Sequence, residues 1–257
     1  MTVLRRQHRA ACGLAALLAL PPAVLAGTFS ISPLRVDFSG PVKTAALTVR
    51  NEDATAVVVQ AEGLFWSQDG AGDALASSRD LLVSPAVFTL PPGGQQLVRV
   101  ALRRAPDPDR ELAYRLIVQE VPQAAAPQFT GLQVALRLSV PVFVAPAQSA
   151  TRPAAMAWTA QQDTHGTLTV IARNDGPAHE RIHRFTVRSG DGSRLVAEQS
   201  SLAYVLPGAS RRWTFDDDEI TRTDATSAAP AGIPGPYRLE GTTDRGVFAT
   251  ELTFTQD

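Results

Sequence analysis

The segment at 132–143, LQVALRLSVPVF, constrains the fold of this chain most, because its apolar side chains fall on every second residue throughout. This alternation predicts a β-strand with one buried face, and strands usually span only about five or six residues. Pro141 lacks the N–H that a strand inside a sheet donates, which indicates an edge strand. A long apolar edge favours aggregation. One physical reason to keep such an edge is that it pairs with another protein.

The first 26 residues have the pattern of a secretory signal peptide. Three arginines at positions 5, 6 and 9 precede an apolar run at 10–20, which is shorter than the roughly 20 residues that a membrane-spanning helix needs. The small residues at 24–26, VLA, form a cleavage site, so we expect the mature chain to begin at Gly27.

The composition of the mature chain excludes several classes of protein. Cleavage would remove Cys12, the only cysteine, so neither a disulfide nor thiol chemistry is expected. It would also remove three arginines and no acids, lowering the formal charge from −1 to −4, which does not fit nucleic-acid binding. No later segment approaches about 18 uninterrupted apolar residues, so we expect no insertion into a membrane.

After the signal, short alternating runs are separated by Gly, Pro, Asn and Asp, which is typical of all-β sandwiches. A Pro- and Ala-rich break at 145–155 divides them into an N-terminal domain at 27–146 and a C-terminal domain at 147–257. We predict strands at 28–38, 44–51, 57–66, 87–90, 96–103, 112–121 and 129–143, and then at 166–174, 182–188, 194–206, 211–215, 237–243 and 247–254.

Four stretches in the N-terminal domain resemble the PapD-like family of periplasmic pilus-assembly chaperones. They are ISPLRVDF at 31–38, SPAVFTLPPG at 84–93 with QLVRV at 96–100, the run from RELAYRL to QEVP at 110–122, and the alternating strand at 132–142. The resemblance implies two immunoglobulin-like β-sandwich domains in a boomerang arrangement. It also implies a periplasmic, non-enzymatic protein that needs no cofactor.

In this family the last strand of the first domain completes the unfinished sandwich of a pilus subunit, and the chaperone then delivers the subunit to an outer-membrane usher. The resemblance therefore implies that this chain binds, folds and caps pilin or fimbrial subunits by donor-strand complementation, a form of β-strand addition. The donor residues would be Leu132, Val134 and Leu136, and Leu138 and Val140 would extend the stripe. The free protein would be able to self-associate through the same edge.

The family also holds the C-terminal carboxylate of the subunit with two basic residues in the cleft between the domains. Arg35 matches the first of them. The second is a lysine in better-known members, and Pro141 stands at its position here. Arg115 or Arg137 would substitute from neighbouring positions.

An ion pair between the two domains is a further family feature, and it is only half present in this sequence. Glu111 matches the acid of the pair, whereas Ala145 stands at the position of the arginine. These departures indicate a divergent branch of the family.

One motif favours an enzyme instead. His179-Glu180-Arg181-Ile182-His183 satisfies H-E-x-x-H, a zinc-protease signature that requires a helix. Gly176-Pro177 on one side and SGDG at 189–192 on the other, with alternation at 183–187, predict a strand. There the two imidazoles would lie about 13 Å apart. No later histidine supplies a third ligand, and we predict no metal site.

A secreted two-domain β-sandwich adhesin or structural pilus component is the alternative to a chaperone. A pilus subunit would be expected to have one sandwich, a protruding N-terminal donor segment and a disulfide. This chain has two sets of predicted strands and no mature cysteine, which favours the chaperone.

Overall fold

In the computed structural model the chain is described at residues 29–70, 72–122, 134–148, 153–163, 167–216 and 236–254. These residues form β-strands and no α-helix, which confirms the all-β prediction. Within these ranges there is accordingly no helix long and apolar enough to cross a membrane. The strands of the N-terminal domain are β1 Phe29–Ser32, β2 Val36–Phe38, β3 Thr44–Asn51, β4 Val57–Asp69, β5 Gly72–Ser77, β6 Leu81–Ser84, β7 Val87–Leu90, β8 Gln95–Leu102, β9 Leu112–Glu120 and β10 Arg137–Val144.

The N-terminal strands form the two sheets of a sandwich. One sheet has the order β1-β3-β8-β6, and the other has the order β2-β10-β9-β4-β5, with β7 also pairing with β4. The single strand predicted at 28–38 is wrong in one respect, because it is divided into β1 and β2, which lie in different sheets. Pro33 stands at the division, and its missing N–H suits a point where the chain leaves one sheet for the other.

The C-terminal domain is a second β structure with its own core. Its sheet runs in the order β14-β13-β17-β18-β11-β12-β16, and β15 pairs with β13. The strands are β11 Met156–Gln162, β12 Leu168–Asn174, β13 Glu180–Ser189, β14 Leu195–Gln199, β15 Ala203–Val205, β16 Ser210–Phe215, β17 Tyr237–Thr243 and β18 Gly246–Phe254.

The two cores follow directly from the alternation in the sequence. In the N-terminal domain Val98 and Val100 of β8 face Leu116 and Val118 of β9, all fully buried. In the C-terminal domain Trp158, Phe185 and Trp213 form an aromatic cluster, with Phe185 and Trp213 ring centroids 5.0 Å apart. Each domain thus buries one side of each of its main strands, as an alternating pattern requires.

Three strands were not predicted: β5, β6 and β11. In β11 the buried side chains are Trp158 and Ala160, and alanine is too small to mark an apolar face in a pattern. β5 has one half-buried apolar residue, Ala74, among exposed ones. β6 is only four residues long. The predicted strand at 194–206 is also divided, into β14 and β15.

The chain has two asparagines, and both are buried at equivalent turns of the two domains. The Asn51 amide donates to the carbonyls of Thr55 and Leu90 at 2.7 and 3.2 Å, and its Oδ1 accepts from the Asp53 backbone N–H at 2.9 Å. The Asn174 amide likewise donates to Ala178 and Val205, and its Oδ1 accepts from Gly176. One asparagine side chain in each domain therefore forms hydrogen bonds to several backbone groups at the turn that strand pairing does not satisfy.

Aromatic side chains of the two domains meet at one interface. Phe143 of β10 packs with Trp66 of β4 and with Tyr204 of β15, at ring-centroid distances of 6.0 and 5.7 Å. The imidazole of His179 stacks on Phe143 at 3.7 Å. His179 also bonds the Glu111 carboxylate through its backbone N–H at 3.2 Å and through Nδ1 at 2.7 Å. The acid of the predicted interdomain pair therefore has a histidine partner.

Gln68 fixes the same interface through the backbone. Its Nε2 donates to the Tyr204 carbonyl at 2.9 Å, and its Oε1 accepts from the Leu206 N–H at 2.9 Å. The amide thus donates one hydrogen bond to the backbone of β15 and accepts one from the residue directly after it, as the backbone of a paired strand would. The two domains are thus joined by directional bonds as well as by packing.

Replacing either asparagine will destabilise its domain. Asn51→Ala and Asn174→Ala each leave buried carbonyl groups without donors, and we expect each to lower the free energy of unfolding by about 3 kcal/mol. Denaturant titration followed by tryptophan fluorescence measures the loss. Gln95→Ala, at an exposed position of β8, is the control. Equal stability of all three variants would contradict the role of the turns.

His179→Ala will loosen the contact between the domains. It removes the stack on Phe143 and the Nδ1 bond to the half-buried Glu111, which keeps only its bond from the backbone N–H of residue 179, at an expected cost of about 1–3 kcal/mol. Small-angle X-ray scattering should show a broader distribution of overall dimensions. His183→Ala, at a more exposed position of β13, should leave the scattering unchanged; equal scattering from wild type and His179→Ala would overturn the assignment.

Candidate functional site

At its C-terminal end β10 pairs with a strand on each side, whereas at its N-terminal end it pairs with a strand on one side only. It pairs antiparallel with β9 from Arg137 to Val144, whereas β2 pairs with it only at Val142–Val144, in parallel. Within the described residues, no strand pairs with the side of Arg137–Pro141 opposite β9. We call this side the open edge. Pro141, which indicated an edge in the sequence, stands at its C-terminal end.

The open edge presents backbone hydrogen-bonding groups. The Leu136 carbonyl accepts from Glu120 N–H of β9 at 2.9 Å, and the Ala145 N–H donates to Phe38 at the end of β2 at 2.9 Å. Residues of even number therefore bond towards β9, and those of odd number point the other way. Arg137 and Ser139 each direct an N–H and a carbonyl to the open edge, and the missing N–H of Pro141 also falls there.

The apolar stripe on β10 passes from the core of the N-terminal domain to the surface. Val142 and Val140 are buried in that core at 0% and 2% exposure. Leu138 and Leu136 are half-buried and pack against its margin, and Val134 is 56% exposed. Since Val140 fills the domain's own core, we leave it out of the proposed donor stripe. Leu132 lies outside the described residues.

Arg35 lies where the open edge ends. The register pairs Val36, the first residue of β2, with Val142, so the residue before β2 reaches the level of Pro141. The Arg35 guanidinium donates from Nε to Asp37 at 2.8 Å and from Nη1 to Asp244 at 3.3 Å. Asp244 belongs to the turn between β17 and β18, so Arg35 lies in the cleft between the domains.

Arg115 is directed elsewhere. It is paired with Pro141 in the register of β9 and β10, but its guanidinium lies 3.6 Å from the centroid of the Trp66 ring. Its Nη2 lies 3.9 Å from the Asp73 carboxylate on β5, beyond β4. Burial lowers the pKa of this guanidinium, and the Asp73 carboxylate opposes that shift. The Arg115 guanidinium also lies 5.5 Å from the centroid of the Tyr204 ring, and none of these contacts joins Arg115 to Arg35.

Arg137, the other substitute anchor, is exposed at the start of β10. It stands four residues before Pro141, about 13 Å along the strand. It therefore lies near the opposite end of the open edge from Arg35.

The Asp244 carboxylate gathers basic side chains from both domains. Arg181 Nε and His183 Nε2 lie 2.7 and 2.8 Å from its Oδ1, and Arg35 Nη1 approaches its Oδ2. Burial alone would raise the pKa of Asp244, but the hydrogen bonds and charges of Arg181 and His183 lower it on balance. Sequence reasoning missed this group, because no local pattern links a turn at 244 with β13 and Arg35.

From Glu180 onwards the H-E-x-x-H motif lies on a strand, as its flanking residues predicted, and His179 directly precedes that strand. Glu180 begins β13, and the two histidines bond different carboxylates, His179 that of Glu111 and His183 that of Asp244. Glu180 is buried and bonded to Arg245. In the described part of the chain, no group of three or more His, Cys, Asp or Glu side chains could hold a metal ion.

Comparison with known proteins agrees with this geometry. Residues 28–150 match the family model of the pili and flagellar-assembly chaperone, PapD N-terminal domain. The probable fimbrial chaperone LpfB of Escherichia coli O157:H7 is 30% identical over 138 residues, which cover 52% of this chain and 56% of LpfB. The chain thus spans little more than half the length of this curated relative.

Solved structures extend the likeness to both domains at the level of the fold. A chain of the CsuC–CsuE chaperone–tip adhesion subunit pre-assembly complex of Acinetobacter baumannii superposes with a TM-score of 0.64 at 20% identity, covering 89% of this chain and 99% of that one. The E. coli chaperone DraB gives 0.55 at 20% identity, covering 88% and 97%. Residues 28–150 are thus similar to the PapD N-terminal domain of pili and flagellar-assembly chaperones, and the solved structures show that the whole described chain shares the two-domain fold of such chaperones.

Proposed function

We propose that this protein is a periplasmic, non-enzymatic chaperone that binds, folds and caps pilus subunits with β10 and delivers them to an outer-membrane usher. The proposal rests mainly on the apolar stripe of β10. This stripe extends from the domain core to the surface, next to the open edge with its unpaired backbone groups. Its donor residues are Val134, Leu136 and the half-buried Leu138, continued by Leu132 outside the described part of the chain.

The open edge supports β-strand addition. Arg137 and Ser139 offer backbone groups for main-chain pairing, while the stripe offers side chains for a core that the partner lacks. Full burial of each aliphatic side chain contributes about 1.5–3 kcal/mol. Residues 134–136 are not in a strand in the free chain, so ordering them on binding offsets part of this gain.

The position of Arg35 favours one direction for the added strand. A strand beside the open edge would lie in line with β2 and end against Arg35. If it ran parallel to β10, its C-terminal carboxylate would meet the guanidinium, whereas an antiparallel strand would bring a positive N-terminus there. A parallel subunit strand with Arg35 as the carboxylate anchor is therefore the favoured arrangement.

In the free protein the same edge can pair with a second copy. An exposed edge with unpaired N–H and carbonyl groups is a template for another strand. Such self-association would protect the edge until a subunit displaces the copy.

Charges placed on the stripe will abolish subunit capture. The chaperone is co-expressed with the pilus subunit encoded beside it and co-purified from the periplasm. Val134→Arg and Leu136→Arg each place a charge in the subunit core, and we expect recovery to fall at least about tenfold. Val87→Arg, on β7 away from the open edge and 59% exposed, is the matched control and should retain capture. Unchanged recovery with both stripe variants would refute donation by β10.

Removing the charge of Arg35 will weaken capture without unfolding the chaperone. Arg35→Gln removes a charge-assisted bond to the subunit carboxylate, and we expect about a tenfold loss of affinity in the same co-purification. The matched control is Arg50→Gln, because Arg50 forms a similar exposed pair with Glu52 at 3.2 Å. Equal recovery with both variants would argue against an anchor at Arg35.

A further inference from the structure

The end of the open edge contains basic groups from the C-terminal domain as well as from the N-terminal domain. Arg35 and Arg181 bond different oxygens of the Asp244 carboxylate, at 3.3 and 2.7 Å. Two guanidinium groups that share one carboxylate lie close enough for a second carboxylate to bridge them. In the described part of the N-terminal domain no second basic side chain bonds the Asp244 carboxylate beside Arg35; Pro141 carries no charge, and the contacts of Arg115 are with Trp66, Tyr204 and Asp73.

We infer that Arg181 of the C-terminal domain is the second anchor for the terminal carboxylate of the bound strand, opposite Arg35. This inference rests on the proposed function, because it requires a strand that ends at Arg35. It assigns part of the subunit-binding site to the C-terminal domain, and it identifies the ligand group as a carboxylate held from two sides.

Both guanidinium groups retain the donors that such a contact needs. A guanidinium has N–H donors on three nitrogens in one plane. Among the described residues, Arg35 uses Nε for Asp37 and Nη1 for Asp244, and Arg181 uses Nε for Asp244 and lies close to the Tyr204 hydroxyl. The Arg35 and Arg181 side chains are 39% and 30% exposed, so a ligand can reach them in a partly desolvated cleft.

An incoming carboxylate must compete with an acid that already holds Arg35, and Asp37 is the one most easily displaced. Its side chain is 50% exposed, and exposed ion pairs contribute little to stability. Asp244 is less exposed and is bonded by three basic side chains, so it stays in place and keeps Arg35 and Arg181 together. If the Asp37 side chain turns towards solvent, the two arginines keep the Asp244 carboxylate between them and can bind the terminal carboxylate of the added strand as well.

The turn that carries Asp244 is fixed to the C-terminal domain. The Asp244 N–H donates to the Arg181 carbonyl at 3.2 Å, and Arg245 bonds the buried Glu180 and the Ala154 carbonyl. The Tyr204 hydroxyl raises the pKa of Arg181 and therefore lies close to this guanidinium, and Tyr204 belongs to the interface with Trp66 and Phe143. The position of Arg181 relative to Arg35 is therefore set by the same contacts that join the domains.

The test compares capture of two forms of the neighbouring pilus subunit by co-purification from the periplasm. One form keeps its natural C-terminus, and the other has a short Gly-Ser extension that moves the carboxylate away from the cleft. We expect Arg181→Gln to lower recovery of the natural form about tenfold and to leave recovery of the extended form unchanged. Arg181→Lys, which keeps the charge but not the planar fork, should give an intermediate loss.

The control is Arg184→Gln, an exposed arginine on the same strand β13, and thermal unfolding verifies that each variant is folded. If Arg35→Gln lowers recovery while Arg181→Gln matches Arg184→Gln, the inference is wrong and the proposed function stands. If Arg181→Gln lowers recovery of both subunit forms equally, Arg181 acts on the fold and not on the carboxylate. If neither Arg35→Gln nor Leu136→Arg has an effect, the proposed function itself fails.

Discussion

The antiparallel register between β9 and β10 is the constraint on which the proposed site depends. It places every even-numbered side chain of β10 on the core side, from Val142 through Leu138. The buried apolar side chains of β10 that complete the N-terminal core and the exposed ones towards Val134 therefore form one continuous stripe. A shift of one residue would turn the whole stripe to the opposite face, so the packing of Val140 and Val142 also fixes the direction in which Leu136 and Val134 point.

The opposite face of β10 holds the C-terminal domain. Phe143 packs between Trp66, Tyr204 and the imidazole of His179. One strand thus contributes to the core, to the domain interface and to the open edge. Movement of the C-terminal domain would act on the strand close to the point where β2 pairs with it and Arg35 lies, so the proposed subunit capture would depend on the orientation of the domains.

The sequence predicts those features that local patterns encode. Alternation predicted the all-β fold and strands such as β9 and β12, and the predicted strands at 44–51 and 166–174 end at the two asparagines. Alternation does not show where a core ends, because Val140 and Val134 look alike in a pattern, although one is buried and the other exposed. The contacts of Asp244 join residues more than 60 and 200 positions apart, and no period in the sequence reports such pairs.

The segment that resembles a zinc-protease motif forms much of the boundary between the domains. Because it is extended, its side chains alternate: His179, Arg181 and His183 reach Glu111 or Asp244, whereas Glu180 and Ile182 turn inward. Pro141 in β10 and Ala145 directly after it stand where the family resemblance led us to expect two basic residues. His179 supplies a basic partner for Glu111 from the facing domain, and Arg181 stands at the cleft beside Arg35. In the proposed arrangement, His179 directly before β13 and Arg181 in β13 take the place of these two basic residues, so the orientation of the domains becomes part of the proposed binding site.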